Sequence, residues 1–261
     1  MQLSKKQQLS ALFLALLVIG FFSGCATTPS DAQAGDPDQL EPFNRASYSF
    51  TDTLDRAILK PIAETYVDYT PQLVRSGVSN FFDNLSYLNV ALNSLLQGKI
   101  DQGLSDIVRF IFNSTIGLAG LVDVATPMGL PEHDEDLGQT LAVWGFDQGY
   151  YLFIPVRGPD TVRNLPDTAT STLLNPLTYV SGAILFPIAA LSIINTRANA
   201  LEETEIRDEA AIDPYTFTRE AYLQHREYLI FDGNPPAEGY EDIFENGDYS
   251  EGEDENVLVI E

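Results

Sequence analysis

The chain has 261 residues and carries 14 Lys plus Arg against 38 Asp plus Glu, a formal net charge of −24. This balance excludes binding to nucleic acid through its phosphates, because neutralising a polyanion needs a basic surface, and it leaves no cluster of Lys and Arg for an anionic cytoplasmic leaflet. At 44% hydrophobic and 20% charged residues the chain can bury a core of one or two domains.

Lys5 and Lys6 precede the apolar run Ala11 to Phe22, which is followed by Ser23, Gly24 and the only cysteine, Cys25. A basic start, a short apolar stretch and small residues before a cut site describe a secretory signal over residues 1–24. About 12 apolar residues are too few to span a roughly 30 Å hydrocarbon core. The lone cysteine resembles that of a bacterial lipobox, with Phe22 where Leu is usual. Lipidation of Cys25 accounts for a thiol that would otherwise stand unpaired in an oxidising compartment, and three acyl chains would anchor far more firmly than one. Ala26 stands where Asp would signal inner-membrane retention, which points to the outer membrane. Residues 25–40, with Pro, Ser, Gly and Asp among them, then read as a flexible tether.

From Pro42 onward apolar residues recur at helical spacing. Pro42, Phe43, Ser47, Phe50, Leu54 and Ile58 predict a first helix that stops at Lys60-Pro61. A second begins near Pro71 and runs to Leu85, a third carries Leu88 to Leu96 and closes at Gly98, and a fourth runs from Ile100 to Phe112. Gly117 and Gly120 mark a place for backbones to approach one another. Between Ala125 and Pro166 the pattern loosens, with a short helix around Asp136 to Trp144 and a strand-like run, Tyr150 to Ile154, that fits a small hairpin.

Thr168 to Thr196 is 29 residues without a charge, and Leu177 to Ile194 is apolar nearly all round, interrupted by Pro187. Two readings fit: a buried core helix, or, as preferred here, a kinked helix or helical hairpin embedded in lipid, since a core helix need not be apolar on every face. Glu202 to Ile230 returns to charged amphipathic helix with Pro214 at a start, and residues 232–261, with 11 acidic residues and no Lys or Arg, read as a disordered tail. The acidity is therefore uneven: residues 202–261 carry a net −16.

Catalytic chemistry has little support. His133 and His225 are the only imidazoles, there is no GxSxG elbow, and no P-loop or Rossmann glycine pattern appears, so neither enzyme activity nor a cofactor is expected. His133 lies among Glu132, Asp134, Glu135 and Asp136; consecutive residues rarely converge on one ion, so a solvated acidic loop is expected and no metal site. More telling are polar residues set among apolar ones: Asn44 and Arg45 after Phe43, Asn80 and Asn84 around Phe81-Phe82, Asn93 and Gln97 around Leu95-Leu96, and Arg109 with Asn113 at i, i+4. In a lipid-embedded helix each needs a partner or water. Either they join helices, or some line a wet passage for a lipid headgroup.

Eight collinear segments resemble the MlaA/VacJ family of outer-membrane lipoproteins. They are EPFNR (Glu41 to Arg45), KP (Lys60-Pro61), NFFDN (Asn80 to Asn84), NSLLQGK (Asn93 to Lys99), RFIFNSTIGLAGLVD (Arg109 to Asp123), DLGQTLAVWG (Asp136 to Gly145), GYYLFIPVRGP (Gly149 to Pro159) with Arg163 after it, and DPYTFTREAYLQHREYLIFDG (Asp213 to Gly233). Departures are Arg157 where an apolar residue is commoner and Asn164 where Asp is usual. The resemblance implies an all-α, ring-like assembly of amphipathic and apolar helices over residues 41–231, embedded in a membrane leaflet, with a small irregular or hairpin segment and a polar central channel. It also implies a place on the periplasmic side of the outer membrane of a Gram-negative bacterium, lipid-anchored. The implied partners are phospholipids, trimeric porins, and a soluble periplasmic carrier that feeds an inner-membrane ABC complex. Residues expected to line the passage or set the ring's geometry are Phe43, Asn44, Arg45, Asn80, Asn84, Asn93, Gln97, Arg109, Asn113, Asp123, Asp136, Gln139 and Arg163. The rival reading is a structural, porin-associated envelope lipoprotein without lipid transfer; a phospholipase relying on the two histidines is a more distant third.

Overall fold

The computed structural model describes residues 38–236, so the signal segment, Cys25, most of the tether and the tail beyond residue 236 lie outside it. Helix α1 (Glu41–Leu54) does not stop at Lys60-Pro61. It passes through a π turn, Asp55–Leu59, into α2 (Lys60–Tyr69). A proline ring clashes with the carbonyl four residues back in a regular α turn, and the wider turn before Pro61 gives that ring room. The two helices expected between Pro71 and Gly98 are one, α3 (Gln72–Leu96), 25 residues long and so about 37 Å. No Gly or Pro interrupts residues 78–97, and Asn84, Asn89 and Asn93 are buried within the helix. Gly98, at φ +82°, turns the chain into α4 (Ile100–Thr115), which packs back along α3.

After α4, Leu118, Ala119 and Gly120 adopt left-handed backbone angles in succession and lay the loop against α3. A Cβ on Gly120 would stand 2.6 Å from Asn84 Cβ, so only glycine allows this approach. A short 3-10 turn (Thr126–Met128) leads to α5 (Leu137–Val143). Next come strands β1 (Tyr151–Ile154) and β2 (Gly158–Thr161), an antiparallel hairpin in which Tyr151 faces Thr161 and Phe153 faces Pro159. Then follow α6 (Asp167–Leu174), a 3-10 turn (Pro176–Tyr179), α7 (Gly182–Asn199), α8 (Leu201–Ala210) and α9 (Pro214–Ile230). Helix α7 runs through Pro187 without a break, and the bend of 46° falls at its junction with α8.

An aromatic cluster of Tyr151, Phe153 and Tyr215, flanked by Tyr48, Tyr222 and Leu223, fastens the hairpin between α1 and α9. Tyr48 meets Phe153 and Tyr215 edge to face at 5.3 and 5.8 Å between centroids, the geometry that aromatic quadrupoles favour. Elsewhere the usual polarity is inverted. Among the described residues, 18 polar or charged side chains are buried against 10 apolar ones, while 34 large apolar side chains are exposed. A water-soluble surface seldom carries so many, since contiguous apolar area marks contact with protein or membrane. Helix α7 shows the inversion best: only Asn195 and Ala198 are buried, and Phe186 is 78% exposed. The core-helix alternative for this stretch therefore fails. No single helix among the described residues is long and apolar enough to cross a membrane.

Candidate functional site

The residues expected to set the passage are tied to one another across elements. At the start of α1, Asn44 is fully buried and reads the hairpin's backbone as a strand would. Its Nδ2 donates to the Tyr151 carbonyl at 3.1 Å, and its Oδ1 accepts from the Phe153 amide at 2.8 Å. The same Nδ2 donates to Asp38 Oδ1 at 2.8 Å, so the last residues of the expected tether are part of the fold; Asp38 is buried and also accepts from the Tyr215 hydroxyl. Arg45 spans from Glu41 (2.5 Å) to Asp213 (2.6 Å) with its guanidinium over the Tyr215 ring. Its hydrogen bond holds the Asp213 carboxyl well below the usual range. Phe43, by contrast, is exposed.

Along α3 and α4 the polar residues form a ladder. Asn80 donates to the Leu121 carbonyl at 3.3 Å and Asn84 to the Ser114 hydroxyl at 2.8 Å. Asn93, fully buried, donates to the Asn89 carbonyl at 2.9 Å and accepts from Thr140 at 2.9 Å, binding α3 to α5. Gln97 donates to Glu135 at 2.7 Å and to Thr140 at 3.2 Å. Arg109 and Asn113 converge on Asp123: Arg109 Nη2 lies 3.3 Å from Oδ2 and Asn113 Nδ2 donates to Oδ1 at 3.0 Å. Arg109 further donates to Thr126, to the Leu130 carbonyl and to Glu132, and stacks 5.0 Å from the Tyr87 centroid. Burial opposes ionisation of Asp123, but Thr126, Asn113 and Arg109 hold its carboxyl down at about 2.

The sequence suggests a solvated acidic loop; Glu132 and Asp134 are exposed, but three of its carboxylates are bound to other elements. Glu135 is buried and takes Gln97, Lys99 and Gln102, while Glu132 takes Arg109. His133 Nδ1 lies 2.7 Å from Asp106 Oδ1. Asp136 caps α5 through the Gln139 amide at 2.8 Å and pairs with both terminal nitrogens of Arg226. The carboxylates thus diverge onto separate partners, and no group of three or more ligand-type residues among the described ones could hold a metal ion. Burial disfavours the charges of Asp136 and Arg226, yet their mutual bond holds the carboxyl low and the guanidinium high. Gln139 is buried and donates to the Asp134 carbonyl at 2.9 Å. Asn164 also accepts from Arg226, at 3.0 Å, while the Arg163 guanidinium donates to the Phe146 carbonyl, at 3.2 Å, and lines a cavity of about 530 Å³ beside Glu220 and Glu227. Lys99 reaches both Glu135 and Asp232, which ties the first residue of the expected tail to the α3–α4 turn.

Sequence reasoning missed the partners on α7 and α9. Tyr215, Arg219, Tyr222 and Arg226 recur at i, i+4, i+7 and i+11, a stripe that local charge density disguised as a solvent face. On α7, Arg197 forks Asp55 of the π turn at 2.6 and 2.9 Å, and Asn195 donates to Ser79 at 2.9 Å. Beyond these anchors, α7 carries a stripe whose character changes along its length: Leu185 and Ala189, then Ser192 and Ile193, then Thr196 and Arg197. Leu185 and Ala189 wall a cavity of about 500 Å³ with Phe82 and Leu177 on one side and Ser171, Thr172, Asn175 and Thr178 on the other. The polar end of the stripe walls another of about 450 Å³ with Tyr48, Asp52, Asp55 and Arg207. Ser192 and Ile193 belong to both walls. Leu185 and Arg197 lie about 18 Å apart along the helix, close to the depth of one leaflet, half of a roughly 30 Å hydrocarbon core.

These features define a helical protein with polar groups turned inward, apolar groups turned outward, and two cavities of mixed lining along one apolar helix. The chain belongs to the MlaA lipoprotein family, whose model matches residues 36–229. It is 34% identical over 247 residues to the intermembrane phospholipid transport system lipoprotein MlaA of Shigella flexneri, covering 91% of this chain and 96% of that one. It is 33% identical, with the same coverage, to the protein of that name from Escherichia coli K12. A solved structure described as "Structural basis for maintenance of bacterial outer membrane lipid asymmetry" superposes with a TM-score of 0.66 at 32% identity, covering 74% of this chain and 98% of that one.

Proposed function

We propose that this protein is an outer-membrane lipoprotein that gives phospholipids mislocalised in the outer leaflet a polar passage toward a periplasmic carrier. The relatives named for intermembrane phospholipid transport support the substrate class. The observation that carries the reading is the inverted polarity: 34 exposed large apolar side chains around an interior of ion pairs and amides. Such a surface suits helices seated in one leaflet through an acylated Cys25, and the ring that the family resemblance implies would then close around the polar interior. Moving a headgroup through bare hydrocarbon costs its hydration, and a wet polar path restores it.

No bond is cleaved in this scheme. His133 is engaged with Asp106, and His225 lies exposed on α9. Direction comes from mass action, as a soluble carrier on the periplasmic side, feeding an inner-membrane ABC complex, removes lipid; trimeric porins hold the protein at the outer membrane.

A second reading, a structural porin-associated lipoprotein, is favoured by one observation: Asn44, Asn93, Arg109 and Asn113 all spend their hydrogen bonds joining elements. Transfer of labelled phospholipid from asymmetric vesicles holding lipidated protein and porin to a purified periplasmic carrier separates the two. Transfer supports the passage; none, with protein folded and inserted, leaves the structural role.

A further inference from the structure

Helix α7 meets its first charge at Arg197, after the 29 uncharged residues 168–196. With α7 seated in lipid, that end lies where hydrocarbon gives way to water, the level of the phosphates. The cavity of about 450 Å³ there is walled by Arg157, Arg197 and Arg207 against Asp52 and Asp55. Two of these guanidiniums are committed to the scaffold: Arg197 forks Asp55 at 2.6 and 2.9 Å, and Arg207 gives Nε and Nη2 to Asp208 at 2.9 and 2.6 Å. Arg157 is not. Its Nη2 lies 3.1 Å from Asp160 Oδ2 as an ion pair, yet that oxygen accepts no hydrogen bond, and Nε and Nη1 have no partner among the described residues. The Arg157 side chain is 40% exposed, against 11% for Arg197 and 15% for Arg207. The backbone that presents it is strained. Ile154 pairs with Gly158, so Pro155, Val156 and Arg157 form the hairpin loop, and Val156 sits at φ +69°. A β-branched residue in that region is an outlier that persists only where its surroundings enforce it, and such outliers gather at ligand clamps. Here the Val156 amide is held by Thr51 Oγ1 of α1 at 3.0 Å. The result is an exposed apolar side chain beside an uncommitted cation, both on the cavity wall.

We propose that Arg157, at the tip of the hairpin, is the residue that takes the phosphate of a phospholipid at this cavity, while Arg197 and Arg207 only hold its wall. The proposal rests on the lipid-passage reading and assigns to it a contact residue. Guanidinium has five N–H donors in a planar fork suited to phosphate oxygens. Nη2 can stay beside Asp160 while Nε and Nη1 donate to the phosphate, so the buried Asp160 keeps its counterion. Val156 and Ile193, both exposed and both on the wall, offer apolar surface to the start of the acyl chains. Recognition through the phosphate is common to zwitterionic and anionic phospholipids, and what it rejects is a diacyl lipid that has no phosphate.

The test uses the full-length lipidated protein in non-ionic detergent, incubated with equimolar phosphatidylethanolamine, phosphatidylglycerol and diacylglycerol of identical acyl chains, the co-purified lipid being quantified by mass spectrometry. The wild type should retain each phospholipid over diacylglycerol by about fivefold, the scale of one partly exposed charge pair. Arg157→Gln should bring both ratios to about one, and Arg157→Lys, which keeps the charge without the fork, should keep part of the advantage. Because Arg157→Gln strips the counterion from buried Asp160, the double variant Arg157→Gln with Asp160→Asn carries the same measurement with no carboxylate left unpaired. Asp160→Asn alone should hold the ratios or raise them, since it releases Nη2, whereas a merely structural pair would lose them in either single variant. Inorganic phosphate added at constant ionic strength should leave the retained phospholipid in place; if it strips that lipid, free phosphate is the ligand and the lipid assignment falls. Wild-type ratios near one, or ratios unchanged in a folded variant lacking Arg157, overturn the proposal, as does a loss in Asp160→Asn equal to that in Arg157→Gln. Retention of no lipid at all by the wild type would instead sink the passage reading on which it stands.

Discussion

Replacing Asn44 by Ala tests whether the polar interior is a scaffold that places the hairpin. The substitution strips three groups at once: the Phe153 amide loses its acceptor at 2.8 Å, the Tyr151 carbonyl its donor at 3.1 Å, and the Asp38 carboxylate its donor at 2.8 Å. Each orphaned buried group costs about 1–3 kcal/mol, and with relaxation of the hairpin the sum should fall near 3–5 kcal/mol. For a domain of this size that is a drop in Tm of about 6–20 °C. Thermal unfolding in detergent would measure the drop, and hydrogen exchange would locate it at the Phe153 amide. A loss below about 1 kcal/mol with the Phe153 amide still protected would refute the reasoning, since the amide would then have found another partner. Asn44→Asp should be no milder, because it keeps the acceptor but sets a carboxylate against Asp38.

Asp136→Asn should destabilise by about 3 kcal/mol or more by leaving Arg226 buried without its anion, and the double variant Asp136→Asn with Arg226→Gln should recover part of that loss in urea unfolding. Gly120→Ala should lower Tm in its own right, since its Cβ would meet Asn84 and its φ is +92°, whereas Gly145→Ala, with open space around its Cβ, should cost less. Acid stability should follow Asp123 and Asp136, whose carboxyls are held low in the fold. Their contribution is present above the ordinary carboxylate range near pH 4 and is lost as pH falls toward 2, so the fall in Tm between about pH 4 and 2 should be smaller in Asp123→Asn than in the wild type. Phe186→Asp on the exposed face of α7 should leave helicity intact but weaken partitioning of the folded chain into vesicles, read by flotation.

Much of this protein was legible in the order of its residues. Apolar spacing marked the helices, Tyr150 to Ile154 marked the hairpin, and i, i+4 spacing put Arg109 and Asn113 on one helix face, where both meet Asp123. The uncharged stretch before Arg197 declared a helix apolar on all sides, because hydropathy and periodicity are local properties that need no partner to be read. What only the tertiary structure decided was destination. It showed that the second and third expected helices are one, and that the acidic run from Glu132 to Asp136, although Glu132 and Asp134 stay exposed, sends its side chains to partners on α4, α5, α9 and the α3–α4 turn. It also showed that Arg226, amid a charged helix, is buried against Asp136. A charge in sequence carries no sign of whether its counterion lies 90 residues away, so pairing follows only from how the helices pack.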